Sequence, residues 1–320
     1  MLEIIVFNVG DGDAALLRLN RPDKNSINIL IDSGRPELPE HPLSQRATAV
    51  EHLREWHIDH LDVMILTHLH IDHIGGAADI LDAMPVRRMI VPYLPACRAE
   101  TLPRQTEGEL AEKWNELCRV LLRWQLTVEK ARQQGTVIAT AWEEPVFSAD
   151  GLTVEEILPG KSILHQQMLY DRIYQGEQIP AEEWYPVAKC RNPESLMEHI
   201  TYGGRRILFC GDRYAETFSD GTYGPCDLVK LPHHGDPKAM TEELLHDLHP
   251  QYALISCQLD PRKKKDRPNE EVVALLKKNG VEVLCTENRP LPSLPMEVCR
   301  RIVCRIQPDG GMTVEKQRIR

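Results

Sequence analysis

The chain has 320 residues, with 38 Lys+Arg against 48 Asp+Glu for a formal charge of −10, 42% hydrophobic and 27% charged residues. That is the composition of a folded globular protein and excludes disordered, collagenous and coiled-coil chains. A chain this long buries a large core, and its acidic balance disfavours tight, non-specific binding to long nucleic acid, which needs Lys and Arg against phosphates, unless a local basic patch supplies it.

No stretch reaches the roughly 18 apolar residues of a membrane helix, and the N-terminus carries neither a basic region nor a small-residue cleavage site. The expectation is a cytoplasmic protein that does not enter a membrane. The nine Cys form no C-x-x-C pair, so reduced thiols are expected rather than a disulfide framework or a Cys-type zinc knuckle.

Three apolar runs, 2–7, 14–19 and 27–31, are separated by turn compositions and predict a meander. A Pro-rich stretch leads to a helix expected over 44–56, then a buried strand over 61–67, a helix over 76–84 and a short strand at 88–91. Leu110, Trp114, Leu117, Leu121, Trp124 and Val128 recur at spacings of three and four, predicting one long amphipathic helix over about 107–134, packed on the sheet or capping a pocket. Residues 160–193 show weak periodicity and read as an irregular insertion. Strands follow at 196–202, 206–210, 227–231, 252–256, 281–285 and 301–306, with Gly203-Gly204 as a hairpin turn and helices at 241–248 and 269–278. Two sheet-rich halves, each followed by helices, predict two sheets face to face with helices outside.

The chemistry concentrates in Thr67-His68-Leu69-His70-Ile71-Asp72-His73-Ile74-Gly75-Gly76, where the buried strand gives way to a loop. His68 and His70, two apart in extended chain, project to one side, and Asp72 with His73 address a second point nearby. Imidazole and carboxylate suit Zn²⁺ or another borderline divalent ion. Asp212, after an apolar strand, offers a bridging carboxylate, and the pair His233-His234 after a further strand adds ligands, with the choice between the two open. Gly10 and Gly12 do not form a dinucleotide fingerprint, because a strand follows them and not a helix.

The order of these motifs resembles the metallo-β-lactamase fold, and in particular the metallo-β-lactamase domain of the ComEC/Rec2 DNA-uptake proteins. The D-V-G-x-G-D-A opening of that family is matched by Asn8-Val9-Gly10-Asp11-Gly12-Asp13-Ala14, followed by Ile29 to Gly34 and the T-H-x-H-x-D-H-x-G-G element. Asn192-Pro193-Glu194-Ser195-Leu196 is similar to N-x-x-S-L, Leu208 to Asp212 to L-x-x-G-D, and Pro232-His233-His234-Gly235 to P-H-H-G. The resemblance implies an α/β four-layer αββα sandwich over residues 1–320 as one domain, with a helical insertion at about 97–190. It departs from the family at Asn8, where an Asp is usual, and at Asp266-Arg267-Pro268, where G-H-P is usual. Asn8 and Asp32 are candidates for orienting ligating His. Many fold members supply a third His to the first metal. Here Asn192 occupies that region, and His165 and His199 are more readily ordinary surface or strand residues.

The expected metal set is therefore His68, His70, Asp72, His73, Asp212, His233 and His234, holding two divalent ions, Zn²⁺ or Mn²⁺. Asp72, His233 and His234 are the expected catalytic groups, and Asn192, Ser195, Lys264 and Arg267 the expected substrate contacts, Lys264 lying in the basic run 262–265. What the resemblance implies is a phosphodiesterase or nuclease acting on DNA or another phosphodiester. The alternatives are hydrolysis of a small ester, lactone, thioester or phosphorylated metabolite, or a non-catalytic regulatory module whose 97–190 insertion binds a protein partner.

Overall fold

The computed structural model describes residues 1–22, 24–102, 108, 110–160, 162–218, 223–259 and 266–319. The chain opens with β1 (Leu2–Phe7), β2 (Ala15–Leu19) and β3 (Ile27–Ile31). Helix α1 (Ala49–Glu55), β4 (Leu61–Ile65), α2 (Ile71–Ile74), α3 (Ala77–Ala83) and β5 (Val86–Val91) follow, then α4 (Ala111–Gln133), β6 (Val137–Thr140), β7 (Val146–Ala149) and β8 (Leu152–Ile157). Next come α5 (Ser162–Tyr174), α6 (Ala181–Lys189), β9 (Met197–Tyr202), β10 (Arg205–Phe209), β11 (Leu228–Lys230), α7 (Glu242–Leu248) and β12 (Tyr252–Ile255). The chain ends with α8 (Glu270–Lys278), β13 (Glu282–Cys285), the small pair β14 (Glu287–Asn288) and β15 (Glu297–Val298), and the strands β16 (Arg301–Ile306) and β17 (Met312–Gln317).

Two large sheets result, in the orders β17-β16-β1-β2-β3-β4-β5-β6 and β13-β12-β11-β10-β9-β8-β7. Side-chain alternation along β1 shows how they stack. Leu2, Ile4 and Val6 enter the apolar cluster between the sheets, whereas Ile5 and Phe7 enter a second cluster with α1, α3, α4, α5 and α6. A third cluster packs Val229, Ala253 and Ile255 of the other sheet against Leu245 and Leu248 of α7 and Val273 and Leu276 of α8. Three cores between four layers make the αββα sandwich that two half-buried sheets require.

In both sheets the antiparallel part passes into a parallel part: β3 to β6 run parallel, as do β10 to β13. Asp32 follows β3, the His68–His73 loop follows β4, Asp212 follows β10 and His233-His234 follow β11. These residues therefore gather outside the carboxyl ends of parallel strands, where open α/β sheets place their ligands.

Two elements differ from the sequence reading. Helix α1 begins at Ala49, because Thr48 and Glu51 form a capping box, while the Ser44 hydroxyl is drawn off to Glu287. The described residues within 160–193 are not irregular. They fold as α5 and α6, with Tyr170, Tyr174 and Trp184 in the core, and Gly176 and Pro186 are what interrupt their periodicity. The 97–190 segment is moreover only partly an addition to the sandwich, since β6 extends one sheet and β7 and β8 the other.

Candidate metal centre

The His68–His73 loop is held in place before any ligand binds. Ser33 donates from its backbone N and its hydroxyl to His73 O, each at 2.7 Å, and Asp13 N donates to Asp72 O at 3.1 Å. Gly12 is needed for that approach, because a Cβ there would lie 2.7 Å from Asp72 O. Leu196 N donates to Thr67 O at 3.0 Å and ties the second sheet to the same loop.

Three of the four imidazoles in the donor groups are held through Nδ1, with Nε2 turned toward the cluster. His73 Nδ1 lies 2.6 Å from Asp32 Oδ2, and its Nε2, 3.3 Å from Asp212 Oδ1, is buried without a hydrogen bond. His234 Nδ1 donates to Ser256 O at 3.0 Å, and its Nε2, 3.6 Å from Asp72 Oδ2, is likewise without a hydrogen bond. His68 Nδ1 meets the Thr67 hydroxyl at 3.0 Å, while its Nε2 faces His70 Nδ1 at 2.8 Å and Asp212 Oδ2 at 3.6 Å. The donors fall into overlapping groups, His68-His70-Asp212, Asp72-His73-His234 and Asp13-His73-Asp212, each with its ligand atoms within 4.8 Å of one another. Buried, orphaned imidazole nitrogens facing carboxylates are the arrangement that divalent ions satisfy, with the outer nitrogens anchored as metal-binding His require. His68, His70, Asp72, His73, Asp212 and His234 would hold them.

The electrostatics fit the same reading. Burial, then the charge of His73, pushes His68 down to about 3, and burial with the nearby Arg191 holds His70 well below its ordinary value. For Asp72 burial is outweighed by His234, His73 and Arg35, and for Asp212 by His73 and His68, so both carboxyls stay well below the usual range. Asp212 and Asp32 together outweigh burial at His73 and raise it.

The His233-His234 pair is separated by geometry. Both residues have left-handed backbone, φ 49° and 59°, followed by Gly235 at 72°. His234 is turned into the donor cluster and is buried. His233 instead lines the cavity above it, with Nδ1 on Asp236, Nε2 against Arg267, and backbone N donating to Asp212 Oδ1 at 3.0 Å.

That cavity, about 480 Å³, is lined by His70, Asp72, Asp212 and His233 together with five arginines, Arg35, Arg119, Arg123, Arg191 and Arg267. Arg119, Val120, Arg123 and Glu116 come from α4, so the long helix forms one wall. A larger groove of about 740 Å³, between the ends of α7 and α8, lies away from these residues, and none of its lining residues belongs to a donor group.

Other expected site residues sit elsewhere. Ser195 is fully buried beneath Asp212: its hydroxyl donates to Asn192 O at 2.8 Å and accepts from Asp212 N at 3.3 Å. Asn192 donates to the Tyr214 hydroxyl at 3.2 Å. Both support the Asp212 turn and are not among the cavity's lining residues. Asn8 binds Glu287 and Cys299 O and touches no ligating His, so the orienting role falls to Asp32 and not to Asn8. His165 is exposed, and His199 of β9 accepts from Arg206 of β10. Lys264 and the rest of the basic run lie outside the described residues. The sequence reading missed Arg35, Arg119, Arg123 and Arg191. Only the Arg119/Arg123 spacing of four, on the helix side opposite its Trp and Leu residues, hinted at a shared face.

Residues 9–96, which carry the opening loop, Asp32 and the His68–His73 loop, match the family model of the metallo-beta-lactamase superfamily. The chain has the metallo-β-lactamase fold. ComE operon protein 3 of Bacillus subtilis (strain 168) is 25% identical over 298 residues, covering 89% of this chain and 32% of that protein, so the chain spans about a third of its relative's length. Among solved structures, the diiron β-hydroxylase CmlA from Streptomyces venezuelae is similar at 14% identity and a TM-score of 0.48, over 95% of this chain and 54% of that one. The metallo-β-lactamase fold protein YhfI from Bacillus subtilis is similar at 12% identity and a TM-score of 0.47, over 89% and 96%. The matched residues 9–96 include the His68–His73 loop, which supplies donors to each of the three groups. No described helix is long and apolar enough to cross a membrane.

Proposed function

We propose that the chain is a dinuclear-metal phosphodiesterase or nuclease, acting on DNA or another phosphodiester, with Zn²⁺ or Mn²⁺ as its ions. The observation that carries this reading is the cavity wall: five arginines surround the donor cluster in a protein whose net charge is −10. A concentration of positive charge over a low-dielectric cleft selects and gathers anions.

Divalent ions held there would supply Lewis acidity, lowering the pKa of a bound water and polarising a substrate oxygen. The chain's own residues do the rest. Asp32 and Ser256 hold His73 and His234 in the tautomer that leaves Nε2 free. Arg35 and Arg123 offer N–H donors to non-bridging phosphoryl oxygens. His233, outside the donor cluster and braced by Asp236, stands with Arg267 on the cavity wall, where the pair stabilises charge on the leaving oxygen. Through α4, the 97–190 segment serves this cavity.

The test is hydrolysis of bis(p-nitrophenyl) phosphate and of linear and circular DNA by metal-stripped protein restored with Mn²⁺ or Zn²⁺, with Asp72→Ala and Asp212→Ala as controls. Metal-restored cleavage lost in both variants is expected, and attack on circular DNA identifies an endonuclease. Protein with verified bound metal that cleaves neither substrate overturns the reading in favour of a carboxylic ester or thioester.

A further inference from the structure

Four of the five arginines along the cavity either have a visible partner or are exposed. Arg35 Nη2 lies 3.6 Å from Asp72 Oδ2 and 3.9 Å from Asp11 Oδ2, Arg267 Nη1 lies 3.5 Å from Asp11 Oδ1, Arg123 Nη2 donates to Gly75 O at 2.6 Å, and Arg119 is exposed. Arg191 differs. It is 4% exposed, its Nε and Nη1 are buried with no hydrogen-bond partner, and among the described residues no carboxylate forms an ion pair with it. A buried charge left this way is strongly disfavoured unless something arrives to meet it.

Its position says what arrives. Arg191 lines the main cavity beside His70, whose basicity it depresses, and also a small void beneath shared with His68, Tyr170 and Gln166. Asn192, the next residue, turns its amide to Tyr214, so at this turn the chain offers a guanidinium to the cavity. We infer that Arg191 is a substrate-binding residue whose guanidinium, where it faces the cavity, receives an oxyanion of the substrate, a phosphoryl oxygen, next to His70. The planar fork of Arg suits two-point contact with phosphate. Arg119, Arg123 and Arg267 around the same cavity favour a phosphate over a monocarboxylate. The identity of the anion rests on the phosphodiesterase reading, whereas the need for an anion does not.

The experiment compares metal-loaded wild type with Arg191→Met, which keeps length and loses charge, and Arg191→Lys, which keeps charge and loses the fork. Inorganic phosphate is the probe, read by shift in Tm and by inhibition, and KM and kcat are measured for bis(p-nitrophenyl) phosphate and p-nitrophenyl acetate. Without phosphate, Arg191→Met is expected to melt no lower than wild type, because an unpaired buried charge is gone. Phosphate is expected to raise the Tm of wild type but not of Arg191→Met, with Arg191→Lys between them and metal content unchanged. The phosphate affinity should fall about tenfold or more, the loss of one charge-assisted contact. KM for the phosphodiester should rise by a similar factor while that for the acetate stays put. An Arg191→Met protein that keeps wild-type phosphate affinity, or that melts lower with the phosphate shift intact, overturns the inference. The two readings separate cleanly: wild type that binds phosphate through Arg191 yet cleaves no phosphodiester sinks the proposed function alone, and a phosphodiesterase whose KM ignores Arg191 sinks this inference alone.

Discussion

Asp32 Oδ2 sits 2.6 Å from Nδ1 of His73, and the same carboxylate accepts from Thr67, at 2.8 Å from the backbone N and 2.9 Å from the hydroxyl. One buried acid therefore orients a metal-facing imidazole and anchors the start of the loop that carries the other two. Asp32 has a left-handed backbone, φ 57°, which these bonds over-determine. Loss of such an outer partner typically weakens metal binding by about 10–100-fold. Asp32→Ala is expected to lose affinity in that range in a competition titration against a chromophoric chelator, with activity recovered at excess metal. Wild-type affinity in the variant would mean that His73 is oriented by something else.

His52 gives the fold an acid-sensitive point remote from the cavity. It stacks on Phe7, ring centroids 4.6 Å apart, with Nε2 at 3.1 Å from Asn8 O and Nδ1 buried without a partner. Burial, then the charge of Arg300, lowers its pKa from 6.5 to about 3. The unfolded chain takes up this proton below pH 6.5 while the folded one refuses it until about pH 3. The contribution is thus fully present above pH 6.5 and is lost as the pH falls from there toward 3, by up to about 1.4 kcal/mol per pH unit. Urea unfolding from pH 7 to 4 is expected to show a shallower loss for His52→Gln than for wild type. Parallel slopes would remove His52 from the account of acid stability.

What was legible in the sequence was what is local in it. His68, His70, Asp72 and His73 share one loop, so their density at a strand end marked them, and Asp212, after a strand with an unbroken apolar run, was singled out by its convergence with that loop and the His233-His234 pair. The division of labour between His233 and His234 was not legible, because consecutive residues in left-handed backbone do not follow the alternation of a strand. The arginines of the cavity come from the turn after β3, from α4, from the turn before Asn192 and from beside Pro268, stretches that only the packed layers bring together. Asn8 and Ser195 were drawn toward the site by motif position, yet tertiary hydrogen bonds turn Asn8 to Glu287 and set Ser195 under Asp212.

Gly211 fixes the turn that presents Asp212. Its φ is +52°, and a Cβ would lie 2.6 Å from Leu196 O and 2.9 Å from Ser195 Cβ, the first of these being backbone that cannot rotate away. Strain and overpacking together make Gly211→Ala destabilising by about 2–4 kcal/mol, to be read from the urea midpoint at unchanged slope. A loss under about 1 kcal/mol would show that the turn relaxes at little cost, and bound metal should then fall instead as Asp212 moves.

Trp184 links the helical layer to the cavity. It is fully buried on α6 and meets Trp114 of α4 edge-on, with ring centroids 5.0 Å apart at 64°. Helix α4 in turn carries Arg119 and Arg123 into the cavity wall. Truncating a buried Trp leaves a large void, so Trp184→Ala should cost about 3–5 kcal/mol if the layer unfolds with the rest. Because α6 touches the sheets chiefly through α4 and its neighbours, part of that loss is expected as local opening, seen as faster amide exchange in α4 and α6 than in β1 to β4. Under conditions where the sandwich stays folded, KM for a phosphodiester should rise while bound metal is unchanged, since the donors sit on strand ends and the arginines on the loosened helix. Metal lost in step with KM would instead tie the donor cluster to the helical layer, and the wall formed by α4 would then be part of the metal centre's own support.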